Sequence, residues 1–204
     1  MGGNSLPSVE LRDAGTKEEF THRIADYANT LNSGQWILEG NWDHTLWGGE
    51  LPQKEWIDAE TKDHPVALYR LDGHMMLANS AVLKLAGIDK NTADVPGGEI
   101  VRNADGSPTG VLKDNAMNQL LATIPPLTSA QKKAAIMAAT DYFLSHGVTT
   151  VFDVDSLGTY EIAVEMKAAG ELSLRLNLAD PLYQWEGLLE KTNENNDWLK
   201  TGAI

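Results

Sequence analysis

Cysteine is absent from all 204 residues. That excludes a disulfide framework, a thiolate zinc site and an iron–sulfur cluster, since no sulfur ligand exists to build them. No apolar run approaches the roughly 18 to 20 residues that a bilayer requires, and the first fifteen residues, MGGNSLPSVELRDAG, have neither a basic stretch nor an apolar one. The expectation is a soluble, cytoplasmic chain with no membrane partner. Positive charge is also scarce, 16 Lys and Arg against 29 Asp and Glu for a net charge of −13. Such a field repels phosphate backbones, so nucleic acid is excluded as a partner. The five histidines, His22, His44, His64, His74 and His146, are never two, three or four residues apart. The local pair of ligands from which metal sites are usually built is therefore missing, and no metal site is expected within this sequence.

What the sequence does contain is a succession of short elements with clear punctuation. Thr16 and Glu19 stand in capping-box register ahead of Phe20, Ile24, Tyr27, Ala28 and Leu31, which predicts a helix over 16–31 ended by Asn32 and Gly34. The apolar run at 35–39 reads as a buried strand, followed by a loop over 41–51 that carries Trp42, Asp43, His44 and Trp47. Pro52 opens a short helix near 53–59, and 66–71 is a strand delivering Asp72, Gly73 and His74. Asn79 or Ser80 caps a helix over 81–86, and the Asp105-Gly106 pair between 98–102 and 109–113 marks a β-hairpin. The helix-breaking seam Ile124-Pro125-Pro126-Leu127 divides this part from a helix–strand–helix–strand series. In that series, Thr128 and Gln131 cap a helix, 148–154 and 172–178 are strands, 159–169 is a helix, 182–191 a further one, and 200–204 the run-in to another strand. Such alternation is the pattern of a parallel α/β sheet. The division expected is 1–34 as a helical segment, 35–127 as a mixed α+β insertion and 128–204 as a β/α segment.

Several residues are candidates for chemistry. His74 follows Asp72-Gly73 at a strand end, where α/β folds place active-site loops, although the same three residues would also suit a plain chain reversal. Trp42, Asp43 and Trp47 can wall an organic substrate or anchor a core. Glu99 and Arg102 lie on a hairpin strand whose default is a solvated face. The segment VTTVFDVDSLG, residues 148–158, resembles the first motif of the haloacid dehalogenase phosphatases, which would make Asp153 a nucleophile and Asp155 its acid/base; the bland reading is two polar residues ending a buried strand.

A second resemblance spans most of the chain. The blocks LRDAGTKEEFTHRIADYA, WILEGNWDHTLWGGELP, PVALYRLDGHMMLANSAVLKLAGI, PGGEIVRNADGSPTGVLKDNA and HGVTTVFDVD resemble the interior of the amidohydrolase superfamily, specifically amidohydrolase family 3, to which the N-substituted formamide deformylases belong. The resemblance implies an α/β fold, a partial TIM barrel of parallel β/α units with the insertion at its mouth. It implies hydrolysis of amide-like C–N bonds by metal-activated water, with zinc or another divalent metal in the parent enzyme and a small-molecule amide-like substrate. The superfamily's H-x-H pair, later lysine or glutamate, later histidines and final aspartate map onto no residue here, so the chain is expected to begin after the first barrel strand, to stop near the fourth and to be inactive alone. Trp42, Asp72, His74, Glu99 and Asp153 are then substrate-binding candidates. A non-enzymatic binding module that reuses the fold is the alternative from another class, and the unclosed sheet points to a homo-oligomer.

Overall fold

The computed structural model describes residues 8–154, 158–180 and 196–203. They belong to two compact units, one of residues 8–125 and one from residue 126 onward, divided between Pro125 and Pro126.

In the first unit, Thr16 caps helix α1 (Lys17–Ala28) by accepting from Glu19 N at 3.1 Å. The Glu19 carboxylate returns to the Gly15 N–H at 2.9 Å, one residue short of a full capping box. Strands β1 (Ile37–Trp42), β2 (Val66–Arg70), β3 (Met75–Ala78), β4 (Gly98–Arg102) and β5 (Pro108–Asp114) form a sheet in the order β1-β2-β3-β5-β4. Only β1 and β2 run parallel; the other pairs are antiparallel. Helices α2 (Ser80–Leu85) and α3 (Met117–Leu121) complete the unit, with 3₁₀ turns at His44–Trp47 and Lys54–Trp56.

Alternation along the central strands explains its layers. Val66, Leu68, Leu77 and Val111 point to one face and pack with Phe20, Ile24 and Ala28 of α1. Ala67, Met76, Ala78 and Leu112 point to the other and meet Val82 and Leu83 of α2 and Leu120 of α3. A sheet covered on both faces makes its inner strands almost continuously apolar. The N-terminal helix thus shares a core with residues 35–125. Strand β3 was not anticipated, because Met-Met-Leu-Ala is too short and too uniformly apolar to show a period. Trp42, expected in a loop, ends β1, and the helix expected over 53–59 contracts to the turn Lys54–Trp56.

In the second unit, Thr128 and Gln131 make a complete capping box for helix α4 (Ser129–Ser145). Helix α5 (Thr159–Ala168) joins β6 (Thr150–Val154) to β7 (Arg175–Asp180), and β8 (Leu199–Ala203) follows. The three strands are all parallel in the order β6-β7-β8. Ile162, Ala163 and Met166 of α5 and Ile136 and Phe143 of α4 pack with Val151, Leu176, Leu178 and Leu199 on one face of this sheet. The architecture is mixed α/β, with both sheets open among the described residues. The helix expected over 182–191 lies outside the described residues.

Candidate functional site

At the C-terminal end of the parallel pair β1–β2 the backbone is unusual. Glu39, Gly40 and Asn41 have φ of 68°, 96° and 54°, and the register slips between Gly40 and Trp42. Two non-glycine residues at positive φ, one on each side of a left-handed glycine, is a costly arrangement that only surrounding structure can hold. The bulge turns Trp42 inward, where its indole N–H donates to the Leu68 carbonyl at 2.9 Å and the side chain is fully buried. Trp42 therefore forms the floor of this region, and the edge of the His44 ring meets it at a centroid distance of 5.9 Å.

Above that floor Arg70, the last residue of β2, is only 15% exposed and gathers three partners. Its Nη2 lies 3.1 Å from Asp43, its Nη1 pairs with Asp72, and its Nε donates to His44 Nδ1 at 3.2 Å. Asp43 also accepts from the N–H and hydroxyl of Thr45, at 3.1 and 2.8 Å, and so caps the His44–Trp47 turn. Burial acts to raise the pKa of both aspartates, but the donors around them outweigh it: Thr45 and Arg70 hold Asp43 below the ordinary carboxylate range, and the His74 N–H with Arg70 does so for Asp72. His44 is pushed below the ordinary histidine value, first by burial and then by the adjacent guanidinium.

Asp72, Gly73 and His74 form the turn between antiparallel β2 and β3, a hairpin reversal and not a strand-to-helix loop. Gly73 takes a φ of 75°, and Asp72 accepts the His74 N–H at 3.0 Å. The His74 ring is 72% exposed, with Nδ1 2.8 Å from Asp114, itself at a φ of 48°. Glu99 lies across the hairpin from Lys113 and accepts from its ammonium at 2.9 Å. Asp43, His44, Arg70, Asp72, His74 and Asp114 are thus linked through successive contacts, with Trp42 beneath. Asp153 belongs to the other unit, one residue from the C-terminal end of β6 and on the same strand face as Val151. Asp155 lies outside the described residues.

The sequence reading missed Arg70 and His44 as members of this cluster. An isolated arginine ending a strand has no motif, and its role exists only once β1, β2 and the β2–β3 turn are assembled.

Among the described residues no three His, Asp or Glu side chains are grouped to hold a metal ion. The described residues do not fit a catalytic metal, which needs about three converging protein ligands.

The sequence profile of the amidohydrolase family matches residues 3–204. The chain belongs to the amidohydrolase family. Protein LONG AFTER FAR-RED 3 of Arabidopsis thaliana is 35% identical over 221 aligned residues, which cover 100% of this chain and 37% of that protein. The N-substituted formamide deformylase of Arthrobacter pascens is 32% identical over 52% of this chain and 20% of the enzyme. A metal-dependent hydrolase of Pyrococcus horikoshii, of uncharacterized activity, superposes with a TM-score of 0.68 at 22% identity over 100% of this chain and 39% of that one. The chain therefore matches between a fifth and two fifths of the length of these relatives. No described helix is long and apolar enough to cross a membrane.

Proposed function

We propose that this chain serves as a segment of a metal-dependent amidohydrolase that cleaves an amide-like C–N bond in a small molecule, and that it is inactive without the remainder of such an enzyme. The observation that carries the reading is the family match over residues 3–204. Supporting it, β6, β7 and β8 have the all-parallel order and intervening helix expected of consecutive strands in a (β/α)₈ barrel. In this reading residues 8–125 are the insertion and carry substrate-facing groups. Asp72 and His74 contact the substrate, Trp42 supports the surface from beneath and Glu99 lies toward its rim; Asp153, in the other unit, stands near a strand end, the position where barrels place their active sites.

The metal, zinc or another divalent ion, would supply a water of lowered pKa as nucleophile when bound. This chain's own share is binding and orientation. Arg70 fixes the Asp43 and Asp72 carboxylates and the His44 ring, and Asp114 orients the His74 ring. Well-placed groups of this kind reduce the entropy cost of bringing substrate to the reacting centre.

The reading is tested by purifying the chain, dialysing it, measuring bound metal and assaying N-alkyl formamides with added Zn²⁺ or Mn²⁺. The expected result is no stoichiometric zinc and no turnover by the chain alone, and metal-dependent hydrolysis when the segment is exchanged into the Arthrobacter pascens deformylase. A tightly held zinc with turnover in the isolated chain would overturn the assignment of the metal to residues elsewhere. A well-folded exchange enzyme that binds metal but hydrolyses no amide would overturn the hydrolase reading itself.

A further inference from the structure

We infer that His44 is a neutral imidazole whose Nε2–H donates to the carbonyl oxygen of an amide-like ligand, and that Arg70 is the positioning residue that fixes its tautomer. The ligand class rests on the proposed amidohydrolase reading; the tautomer does not.

Arg70 Nε carries one hydrogen and has no acceptor capacity, so its 3.2 Å contact with His44 Nδ1 requires a lone pair on that nitrogen. The imidazole proton then resides on Nε2. Protonating Nδ1 would set two N–H groups against each other. Arg70 cannot easily yield, because Asp43 and Asp72 hold its two terminal nitrogens and Asp43 is itself anchored by Thr45. The edge contact with Trp42 fixes the plane of the His44 ring, and Nε2 has no protein partner among the described residues.

Charge selects the ligand. The groups facing His44 are Asp43 on its own loop, Arg70 on β2, Asp72 in the β2–β3 turn and Lys113 on β5. Lys113 is engaged by Glu99. The remaining three leave an excess of one negative charge around an uncharged ring. A carboxylate ligand would be repelled, whereas a neutral carbonyl finds the imidazole Nε2–H, which has no protein partner among the described residues. Burial and the guanidinium keep the ring uncharged at neutral pH, the condition under which an imidazole polarises a carbonyl without adding net charge.

The test uses the ¹⁵N-labelled 204-residue chain, with imidazole signals read by long-range proton–nitrogen correlation and His44 assigned from His44→Gln. The expected result is the Nε2–H tautomer, protonating at lower pH than an ordinary imidazole. In folded Arg70→Lys, which keeps the charge but lacks the Nε fork, the tautomer preference should be lost while the low protonation range, set first by burial, is kept. N-Methylformamide should shift the His44 signals saturably, and formate should do so about tenfold more weakly or not at all. An Nδ1–H tautomer, ordinary titration, no response to the amide, or equal response to formate would each overturn the inference. In the active enzyme, an unchanged kcat/KM for His44→Gln would also overturn it while leaving the hydrolase reading intact. The expected tautomer and amide response in an enzyme that hydrolyses no amide would remove the hydrolase reading alone.

Discussion

Glu39 and the pair Asp43 and Asp72 place carboxylates within one region but under opposite constraints. Burial pushes the Glu39 pKa up, so its ionisation disfavours the folded state. The stability associated with its protonated form is complete below the unfolded carboxylate range and is lost as pH rises through its folded value. Glu39→Gln should therefore stabilise the protein at neutral pH and have little effect in acid. Both side chains meet the same positive-φ strain, so urea denaturation at the two pH values isolates the charge. Asp43 and Asp72, held low, contribute stability above the unfolded range that is lost on acidification. Asn79 shows a different economy: it caps α2 through Val82 N at 3.2 Å, accepts the Val66 N–H at 3.2 Å and donates to the His64 carbonyl at 2.8 Å. It is 1% exposed, so Asn79→Ala leaves several buried groups unpaired and should cost about 2–4 kcal/mol, measured by denaturant unfolding. Its capping role was readable from its place before an apolar run; its hold on β2 and the His64 loop was not, because those partners lie 13 and 15 residues away.

At the scale of elements, what could be read in advance were the features whose causes lie within a few residues. Thr16, Thr128 with Gln131, and Asp105-Gly106 each act on near neighbours, and their helices and hairpin form as the local chemistry directs. Features set by distant contacts were not readable: β3 exists because β2 and β5 bracket it, and the β1 bulge because Trp42 must reach Leu68. The candidate site follows the same rule, since Asp72 and His74 are neighbours in sequence while Arg70 draws Asp43 and His44 from about 26 residues away. Gly110 offers a sharp test of such a distant constraint. It sits in β5 at a φ of 102°, and a Cβ there would lie 2.5 Å from the Ala78 carbonyl oxygen and 3.0 Å from Lys54 Cβ. The adjoining β3 backbone leaves no room to relax. Gly110→Ala should cost about 3 kcal/mol or more, through both strain and overpacking, and thermal unfolding should show a lowered Tm with loss of cooperativity if the β3–β5 pairing opens.

For the whole molecule the decisive contrast is between a sheet covered on both faces and one that, among the described residues, is covered on a single face. Residues 8–125 bury both sides of their central strands, whereas in the second unit Val151 packs toward α4 and α5 while Phe152, 85% exposed, and Val154 project from the opposite face. Among the described residues β6 also pairs on one side only, with β7. An apolar face next to an unpaired strand edge is unstable against association, because both burial and backbone pairing favour a partner. The net charge of −13 opposes this, but charge repulsion is screened within about 10 Å at 0.1 M salt while edge pairing acts at contact. The purified chain should therefore self-associate, increasingly so as salt is raised. Size-exclusion chromatography with light scattering over a dilution series provides the measurement, and Phe152→Glu should shift the distribution toward monomer without lowering the unfolding cooperativity. A folded monomer at every concentration and salt level would show that this face is covered by the chain itself. Association unchanged by Phe152→Glu would move the interface to another surface.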